Sequence, residues 1–449
     1  MIISELYKVY DATAGVSIDT RTLRPGQLFF ALGGENVDGS VYALKALELG
    51  APAAVVRSDA SGLPEDARII RVPDPFKTLR ELAIYHRGRL GFPIIGLTGT
   101  NGKTTTKELI RAALSAGLKV GATEGNFNND IGVPLTVLSF PTDLEIAIVE
   151  MGASHPDDLK PLLEVAQPNY GLITNVGRAH LEGFGSFEGV KYAKGLLYDY
   201  LIKTGGEIFV NDDDETLLEM LRSRGAEGLG YGASTMQAKV LPASGEKPWL
   251  RMVVSGKEID TNLVGAYNSV NVLAALRVAT RFGVPFEKAA AAVSAYVPKN
   301  NRSQFVHTEK NYLIEDYYNA NPSSMGVALD NLSLIEGPKA ALLGDMRELG
   351  EYSLQEHTKI VERLLAMDLK TVCLVGDEFT KAAAALNEAP ALPEDGAPAS
   401  PLALAGSTLQ TFPTSDALAA HLHQHPIQGC TILVKGSRGI RMEKVIGEL

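Results

Sequence analysis

Short apolar runs alternate with longer amphipathic stretches in the middle part of this chain. The apolar runs are PIIGLT (93–98), EIAIVEM (145–151), YGLITNV (170–176) and EIFVN (207–211). Between them apolar residues recur at helical spacing, as they do over residues 103–116. A strand–helix alternation of this kind predicts a parallel sheet with helices on both faces.

The same alternation is present before this middle part. Residues 1–91 contain strand candidates at 27–32, 53–56 and 68–72, with helical stretches between and after them. This pattern predicts a small N-terminal α/β domain.

A third region follows. Residues 299–449 begin with a predicted hairpin at 306–318 and continue with strands at 340–345, 371–377 and 430–436. Each of these strands ends at a Gly-containing turn before a helix. Such a pattern is typical of a Rossmann-like α/β sheet, which binds ligands beyond the carboxyl ends of its strands.

These regions predict an α/β protein of three domains, with limits at 1–91, 92–298 and 299–449. The chain of 449 residues is long enough for two to four domains of roughly 100–200 residues each. The stretch 387–407 is rich in Pro and Ala, and we predict a surface insertion there because a strand–helix pattern resumes after it.

The composition of the chain argues against nucleic acid as its main binding partner. The chain has 53 acidic and 42 basic residues and a net charge of −11, which disfavours nucleic acid because phosphate backbones bind basic surfaces.

Both cysteines, Cys373 and Cys430, lie in apolar runs and are predicted to be buried thiols. The N-terminus has no apolar signal core, and no run approaches the roughly 20 apolar residues that span a bilayer. We expect a soluble cytoplasmic monomer.

The stretch TGTNGKTT (98–105) indicates a phosphate-binding loop between the first central strand and its helix. Gly99 and Gly102 would let the backbone approach phosphates, and Lys103 and Thr104 follow in the required order. The strict G-x-x-x-x-G-K-[ST] spacing is not met, because position 97 is leucine. The predicted nucleotide-binding residues of the loop are Gly99, Thr100, Asn101, Gly102, Lys103, Thr104 and Thr105.

A nucleotide bound there would need Mg²⁺, which takes oxygen ligands and keeps several waters. Glu150 ends the strand EIAIVEM before a glycine and is the predicted carboxylate ligand. Spacing alone does not make His180 a ligand, because a lone histidine after a strand is usually structural. The acidic run 211–215 is better explained as helix capping, and the histidines of 421–425 as a solvated helix end.

The loop alone leaves hydrolysis, phosphorylation and ligation open. Other polar clusters lie far away in the sequence, at 19–21, 125–132, 267–271, 316–322 and 435–438. Each could be ordinary turn chemistry, but together they suggest a cleft shared by several domains.

Several of these motifs resemble those of the Mur ligases of bacterial cell-wall synthesis. The matching stretches are TGTNGKTT, VEMG (149–152), HLEGFGS (180–186) and YNSVNVLAA (267–275). Four more resemble the members that add D-alanyl-D-alanine to a UDP-N-acetylmuramoyl tripeptide: EGNFNNDIGVPLTVL (124–138), EDYYNANPSSM (315–325), LGDMRELG (343–350) and VKGSRGIRMEKV (434–445). The resemblance covers nearly the whole chain, and the family's own loop lacks the strict glycine spacing.

The resemblance implies an ATP- and Mg²⁺-dependent ligase that works through an acyl phosphate. It implies catalytic roles for Lys103, His180, Lys194 and Arg302, and metal ligands in Thr104, Glu150, His180 and Lys194, the last as a carbamate. The resemblance also implies that four further residues bind ATP: Asn268, Asn271, Arg302 and Asp316. The implied substrate-binding residues are Ser17, Asp19, Thr20, Arg21, Asn128, Asn129, Asp130, Asn319, Asn321 and Ser323.

Two alternatives remain open from the sequence. One is a related ligase that adds a single amino acid, such as another Mur ligase or a folylpolyglutamate synthetase. No D-N-P-R-like signature is present, and the stretch GNFNNDIG favours the dipeptide-adding enzyme. The other is a regulator that uses ATP as a switch.

Overall fold

Three parallel-stranded sheets and one small antiparallel sheet organise the described part of the chain. The computed structural model describes residues 2–34, 38–242, 249–298, 304–388, 403–404 and 407–449. Three of the sheets correspond to the α/β patterns read from the sequence, and the small one does not. The predicted α/β fold class is therefore confirmed.

The N-terminal sheet has four parallel strands in the order β1-β2-β3-β4. Its elements are α1 (Ile3–Asp11), β1 (Val16–Ser17), β2 (Leu28–Phe30), α2 (Ala43–Glu48), β3 (Ala54–Arg57), β4 (Ile69–Val72) and α3 (Pro75–Arg87). Helix α3 begins with Pro75 at its first position, and the Asp74 side chain accepts a hydrogen bond from the Lys77 N–H.

The central sheet has six parallel strands in the order β10-β9-β8-β5-β7-β6. The first elements of this region are β5 (Ile94–Thr98), α4 (Lys103–Ser115), β6 (Val120–Ala122), α5 (Gly132–Leu138), β7 (Ile146–Glu150), α6 (Leu159–Ala166) and β8 (Tyr170–Ile173). They are followed by α7 (Leu181–Phe184), α8 (Phe187–Thr204), β9 (Glu207–Val210), α9 (Glu215–Arg222) and β10 (Leu229–Gly230).

Both faces of the central sheet are buried. On β7, Ala147 and Val149 belong to one hydrophobic cluster, and Ile146 and Ile148 belong to another. The first cluster also contains Leu79 and other residues of the N-terminal helices, so the N-terminal sheet shares a core with the central one. The second cluster continues into the antiparallel sheet described next.

This three-stranded antiparallel sheet was not predicted. It consists of β11 (Ala238–Leu241), β12 (Trp249–Val254) and β13 (Lys257–Val264), and is followed by α10 (Asn268–Arg281) and α11 (Phe286–Ala295). On β12 half-buried and buried residues alternate, because one face covers the core while the other faces solvent. Strand β12 (WLRMVV) is a short apolar run, and periodicity alone does not distinguish such a run from a segment of a buried helix.

The C-terminal sheet has seven strands in the order β14-β15-β20-β16-β17-β19-β18. Its elements are β14 (Gln304–His307), β15 (Tyr312–Asp316), α12 (Pro322–Leu334), β16 (Lys339–Gly344), α13 (Ser353–Leu365), β17 (Thr371–Val375), α14 (Asp377–Glu388), β18 (Ala403–Leu404), β19 (Ser407–Phe412), α15 (Ser415–Gln424) and β20 (Thr431–Lys435). The edge strands pair antiparallel and the five inner strands run parallel.

Several smaller predictions can be compared with this sheet. The hairpin at 306–318 is confirmed as the β14–β15 pair. Cys373 and Cys430 are free and buried, as predicted. Most of the proposed insertion at 387–407 lies outside the described residues, and the three domain limits stay a prediction. Among the described residues, no helix is both long enough and apolar enough to cross a membrane.

A buried arginine joins the end of α3 to the central sheet. The Arg87 guanidinium donates to the carbonyl oxygens of Ala166 at 3.0 Å, Leu90 at 3.3 Å and Gln167 at 3.0 Å, and to Asn169 Oδ1 at 2.9 Å. Only 7% of Arg87 is exposed. Its removal would leave these acceptors without their donor.

Replacing Arg87 with methionine is therefore expected to lower the free energy of unfolding by about 2–4 kcal/mol, because buried acceptors would lose their partners. The measurement is calorimetric thermal unfolding. The control is Arg89→Met, because Arg89 is exposed and its guanidinium interacts with the Tyr85 and Tyr7 rings and the Tyr85 hydroxyl at the surface. Equal midpoints for the two variants would contradict this role for Arg87.

A second buried charge lies in the C-terminal sheet. Glu315 on β15 is 7% exposed, and its Oε2 accepts a hydrogen bond from the Tyr317 hydroxyl at 3.3 Å. Burial raises the pKa of Glu315, and the bond from Tyr317 opposes this rise. The folded state therefore binds the proton more tightly than the unfolded chain does. The stability contributed by this proton is present at low pH and is lost as the pH rises through the raised pKa.

Glu315→Gln is expected to stabilise the protein at pH 7–8 and to make little difference near pH 4, because glutamine imitates the protonated acid and keeps the acceptor for Tyr317. Thermal midpoints of both proteins across this pH range would measure the effect. Glu309→Gln in the adjacent exposed turn is the control. A stabilisation that does not depend on pH would contradict the interpretation.

Candidate functional site

The turn between β5 and α4 has the geometry of a phosphate-binding loop. Gly99 and Gly102 have φ of 143° and 77°, which other residues rarely adopt. A Cβ on Gly99 would lie 2.0 Å from Thr174 Oγ1. Helix α4 begins at Lys103, so its first backbone N–H groups face the loop. The loop therefore has an anion-binding helix end and needs glycine at both positions.

Residues at the end of β8 hold this loop in place. The N–H groups of Thr100 and Asn101 donate to the carbonyl and side-chain oxygens of Asn175, each at 3.0 Å. Asn175 Nδ2 and Thr174 Oγ1 in turn donate to the Asn101 carbonyl at 3.0 and 2.6 Å. Sequence reasoning did not select Asn175 as a site residue, although its position at a strand end was the available signal.

Lys103 folds back over the same loop. Its Nζ donates to the carbonyl oxygens of Gly99 at 2.7 Å and Thr100 at 3.0 Å. The ammonium group therefore lies at the mouth of the loop, where a phosphate oxygen can take over one of these bonds.

Glu150 is a buried carboxylate at the carboxyl end of β7. It is 1% exposed and accepts hydrogen bonds from Thr104 Oγ1 at 3.0 Å and Asn128 Nδ2 at 2.8 Å. Its own N–H donates to Thr123 Oγ1 at 2.9 Å. In the described part of the chain no Lys, Arg or His forms an ion pair with Glu150. A buried negative charge with only neutral partners fits a cation.

His180 and Lys194 lie within electrostatic reach of Lys103. Burial lowers the pKa of His180, the Glu348 carboxylate opposes this, and Lys103 adds to the lowering. Burial lowers the pKa of Lys194 well below its usual range, and Lys103 again adds to the lowering. Lys194 is 2% exposed and its Nζ donates to the Ala153 carbonyl at 3.3 Å. The structure thus brings together three residues that are distant in sequence.

Two asparagines of α10 lie behind the loop. Asn271 Oδ1 accepts a hydrogen bond from Thr106 at 2.9 Å, and its Nδ2 donates to Asn268 Oδ1 at 2.9 Å. A Cβ on Gly102 would lie 3.1 Å from Asn271 Oδ1. These amides brace the start of α4 from the side of the antiparallel sheet.

The C-terminal region contacts the phosphate-binding loop directly. Asn321 Nδ2 donates to Asn101 Oδ1 at 2.8 Å, and Asn101 Nδ2 lies 3.4 Å from Asn321 Oδ1. Nearby, the Arg178 N–H donates to Ser323 Oγ at 3.1 Å, and its guanidinium lies 3.4 Å from Glu356. The His180 Nδ1 also bonds to the Glu348 carboxylate. The loop and the C-terminal sheet therefore form one site.

A buried lysine that was not selected from the sequence organises the C-terminal side of this site. Lys435 ends β20, is 1% exposed, and its Nζ lies 2.6 Å from Asp316 Oδ2 on the neighbouring strand β15. The same Nζ donates to the Asn319 carbonyl at 3.1 Å. In the sequence, Lys435 was noted only as a member of the polar cluster 435–438.

A cavity of about 940 Å³ lies between these elements. It is lined by most of the residues predicted for ATP, metal and the muramoyl peptide: Thr100, Asn101, Gly102, Lys103, Thr105, Asn128, Asn129, Asp130, Glu150, His180, Asn268, Asn271, Asp316, Asn319, Asn321 and Ser323. Its size and its polar lining suit a nucleotide beside a second substrate.

Some predicted site residues lie elsewhere. Ser17, Asp19, Thr20 and Arg21 lie at and after β1 of the N-terminal sheet and do not line this cavity. Asp19 and Arg21 instead pair with each other at 2.6 Å. Arg302 lies outside the described residues.

The structure describes two other clusters, and it confirms the capping predicted for the first of them. In the run 211–215, Asp214 caps α9 by accepting hydrogen bonds from the Thr216 and Leu217 N–H groups. His421 and His425 stack on each other at the end of α15. The described residues contain no group of three or more His, Cys, Asp or Glu that could hold a metal ion.

Comparisons with known proteins give a consistent result. Three family models match: "Mur ligase family, catalytic domain" over residues 13–87, "Mur ligase middle domain" over 97–279, and "Mur ligase, glutamate ligase domain" over 301–438.

Similar proteins include UDP-N-acetylmuramoyl-tripeptide–D-alanyl-D-alanine ligases of three bacteria. The one from Bacillus subtilis is 36% identical over 75% of this chain and 74% of its own length. Those from Synechocystis and Escherichia coli are 32% and 31% identical, each over 97% of this chain and 91% and 93% of their own lengths.

Two solved structures extend the likeness to the whole fold. A crystal structure of MurF from Acinetobacter baumannii has a TM-score of 0.81 at 27% identity, covering 98% of this chain and 97% of the other. The MurF ligase from Thermotoga maritima in complex with ADP has a TM-score of 0.78 at 25% identity, covering 97% of each chain.

Proposed function

Because the chain belongs to the Mur ligase family, we propose that it is the ATP-dependent ligase that joins D-alanyl-D-alanine to UDP-N-acetylmuramoyl tripeptide in peptidoglycan precursor synthesis. The observation that carries the proposal is the docking of the C-terminal loop at Asn321 onto the phosphate-binding loop at Asn101. A carboxylate activated by ATP and an incoming amine can meet in the cavity that this contact encloses. We also propose a cytoplasmic location, because the proposed substrates are ATP and a UDP-linked precursor.

The reaction has two steps. The carboxylate of the tripeptide attacks the γ-phosphorus of ATP, which gives an acyl phosphate and ADP. The amine of the dipeptide then attacks the acyl carbon, loses a proton and expels phosphate, which leaves an amide. In both steps the protein mainly positions anions and stabilises negative charge.

We assign the phosphates of ATP to the loop and α4. The backbone N–H groups at the start of α4 and the Lys103 ammonium face the same space. Asn268 and Asn271 lie behind the loop on the adenine side, and Asp316 approaches from the C-terminal sheet. Arg302 would add a permanent forked charge for the γ-phosphate.

The residues around Glu150 fit Mg²⁺. The buried Glu150 carboxylate and the Thr104 hydroxyl are hard oxygen donors whose oxygens lie 3.0 Å apart, and Mg²⁺ prefers such donors. Thr104 and Glu150 would hold one ion, with His180 and Lys194 at a second. When bound, the metal neutralises phosphate charge.

Lys194 is proposed to carry a carbamate. A neutral amine can react with CO₂, and the product offers oxygens to a metal. Lys194 is 2% exposed, donates only to the Ala153 carbonyl, and in the described chain has no carboxylate within 4.0 Å. Burial and the nearby Lys103 charge lower the pKa of Lys194 against the opposing Asp158 carboxylate, which favours the neutral amine that this reaction needs.

We assign the remaining substrate contacts to residues at the two ends of the cavity and to the N-terminal sheet. Asn128, Asn129 and Asp130 would contact the muramoyl peptide from the side of Glu150. Asn319, Asn321 and Ser323 would contact the dipeptide from the C-terminal region. The residues at 17–21 would hold the uridine nucleotide in the N-terminal sheet, away from the reacting atoms.

The test measures phosphate release from ATP with UDP-N-acetylmuramoyl tripeptide, with and without D-alanyl-D-alanine, and identifies the product by mass spectrometry. We expect release to need both substrates and to match the amount of pentapeptide formed. Equal use of a single amino acid would indicate a different ligase. Release that needs neither substrate would indicate an ATP switch and defeat the proposal.

A further inference from the structure

Three lysines in the described ranges are almost completely buried. They are Lys107, Lys194 and Lys435, which are 0%, 2% and 1% exposed. The last two belong to the site described above, whereas Lys107 does not line the main cavity. Lys107 lies on α4, about one turn after Lys103. Burying an ammonium group is costly unless it is paired and hydrogen-bonded, so the partners of Lys107 show which part of the fold it holds.

Lys107 has two partners, and one of them is a backbone carbonyl at the end of β6. Its Nζ donates to the Thr123 carbonyl at 2.5 Å and lies 2.9 Å from the Glu108 carboxylate. Thr123 directly follows β6 and is itself 0% exposed. Glu108 offsets the buried charge, while the bond to the carbonyl ties helix α4 to the point where the chain leaves the central sheet.

The Thr123 carbonyl is available to Lys107 because the hydrogen-bond pattern of the sheet changes at this residue. Strands β6 and β7 pair in parallel as far as Ala122 and Ile148, and the Thr123 N–H continues the pattern by donating to the Ile148 carbonyl at 3.0 Å. In a regular parallel ladder the Glu150 N–H would next donate to the Thr123 carbonyl. It donates instead to the Thr123 hydroxyl, at 2.9 Å. The hydroxyl thus replaces the carbonyl in the ladder, and the carbonyl points to Lys107.

This exchange determines where the next loop runs. The direction of a carbonyl fixes the orientation of its peptide plane, and therefore the direction in which the chain continues. Residues 124–130 cross the carboxyl end of β7, where Asn128 Nδ2 donates to Glu150 Oε1 at 2.8 Å. The Asn128 carbonyl accepts a hydrogen bond from the Gly152 N–H at 2.7 Å, just beyond the same strand. The place of Asn128 beside Glu150 therefore depends on where the Thr123 carbonyl points.

We propose that Lys107 is a positioning residue for the metal site. By holding the Thr123 carbonyl away from the sheet, it fixes the path of the loop and keeps Asn128 bonded to Glu150, without contacting metal or substrate itself. Residues behind the ligands of a metal commonly change its affinity by about 10- to 100-fold. The inference rests on the proposed Mg²⁺ site at Thr104 and Glu150 and adds to that site a residue outside the cavity.

The experiment measures the binding of Mn²⁺, as a probe for Mg²⁺, to the ADP complex of the protein by electron paramagnetic resonance, without turnover. Lys107→Met has similar volume but supplies no donor, and we expect it to raise the Kd for Mn²⁺ about tenfold. Thr123→Val removes the hydroxyl that replaces the carbonyl in the ladder, so a similar rise is expected. KM for D-alanyl-D-alanine should stay within about twofold, because the proposed dipeptide contacts lie in the C-terminal region.

A double-mutant cycle tests the route through Asn128. If Lys107 acts by placing this amide, adding Lys107→Met to Asn128→Ala should raise the Kd for Mn²⁺ by less than about twofold more, because the contact is already lost. Effects that multiply would show that the two residues act independently and would overturn the proposed route.

Lys119→Met is the matched control, because Lys119 precedes the other end of β6 and pairs with Asp143 on the surface. It should bind Mn²⁺ as the wild type does. If Lys107→Met lowers the thermal midpoint but keeps the wild-type Kd for Mn²⁺, Lys107 only stabilises the fold and the proposal is wrong. If Lys107→Met does not fold, Thr123→Val decides: a tenfold rise in Kd supports the proposal, and an unchanged Kd overturns it.

The metal site and the role of Lys107 fail in different ways. If the ADP complex of the wild type binds no Mn²⁺, the proposed metal site itself is wrong. If the wild type binds Mn²⁺ and both Lys107→Met and Thr123→Val bind it equally well, only the positioning role is wrong.

Discussion

Replacing Lys103 with methionine is expected to lower kcat for ligation by about 10²–10³-fold, the usual effect of removing one group that stabilises transferring phosphate. The Lys103 ammonium is held at the mouth of the loop by two carbonyl oxygens, at 2.7 and 3.0 Å. Methionine fills similar volume but supplies no charge when the γ-phosphoryl group moves. Single-turnover formation of ADP would measure the effect on the first step.

A folding defect must be separated from this chemical effect. Lys119→Met is the matched control, because Lys119 lies in the same region but pairs with Asp143 on the surface. Binding of UDP alone should be the same in both variants, because residues 17–21, which are proposed to hold the uridine nucleotide, lie outside the main cavity. If ADP formation in Lys103→Met stayed within a few-fold of the wild type, Lys103 would not stabilise the phosphoryl group.

The sequence was most informative where one local pattern determines both structure and chemistry. The strand PIIGLT, the two glycines and Lys103 lie within a dozen residues, and helix α4 starts at the predicted position. Glu150 was predicted because an apolar strand ends in a single carboxylate. Neighbouring parallel strands bring their carboxyl ends to one edge of the sheet, so such residues meet without long-range information.

Contacts between distant regions could not be predicted in this way. Asn101 and Asn321 are 220 residues apart, and Lys435 and Asp316 are 119 apart. Their partners depend on how the sheets dock and on strand order, for which one sequence gives no signal. Lys435 lies beside Asp316 only because β20, the last strand, inserts between β15 and β16. The antiparallel sheet was missed for a different reason: β12 (WLRMVV) is a short apolar run that periodicity alone does not assign to a strand, and β13 (KEIDTNLV) is mostly polar.

Lys194→Met is expected to lower kcat by about 10²–10³-fold and to weaken the dependence of activity on bicarbonate. A carbamate on Lys194 would supply a charged oxygen to the metal site, whereas an unmodified neutral amine would supply no negative charge there. The lysine is 2% exposed and its Nζ donates to the Ala153 carbonyl at 3.3 Å. Removal of CO₂ should therefore inactivate the wild type, and bicarbonate should restore it.

A direct readout is ¹³C NMR of the protein equilibrated with labelled bicarbonate, which should show a carbamate resonance in the wild type that Lys194→Met lacks. Lys191→Met is the control. Lys191 lies about one turn before Lys194 on the same helix and pairs with Glu188 and Glu219. It should keep both the resonance and the activity. Full activity of Lys194→Met would exclude a role for the carbamate in this enzyme.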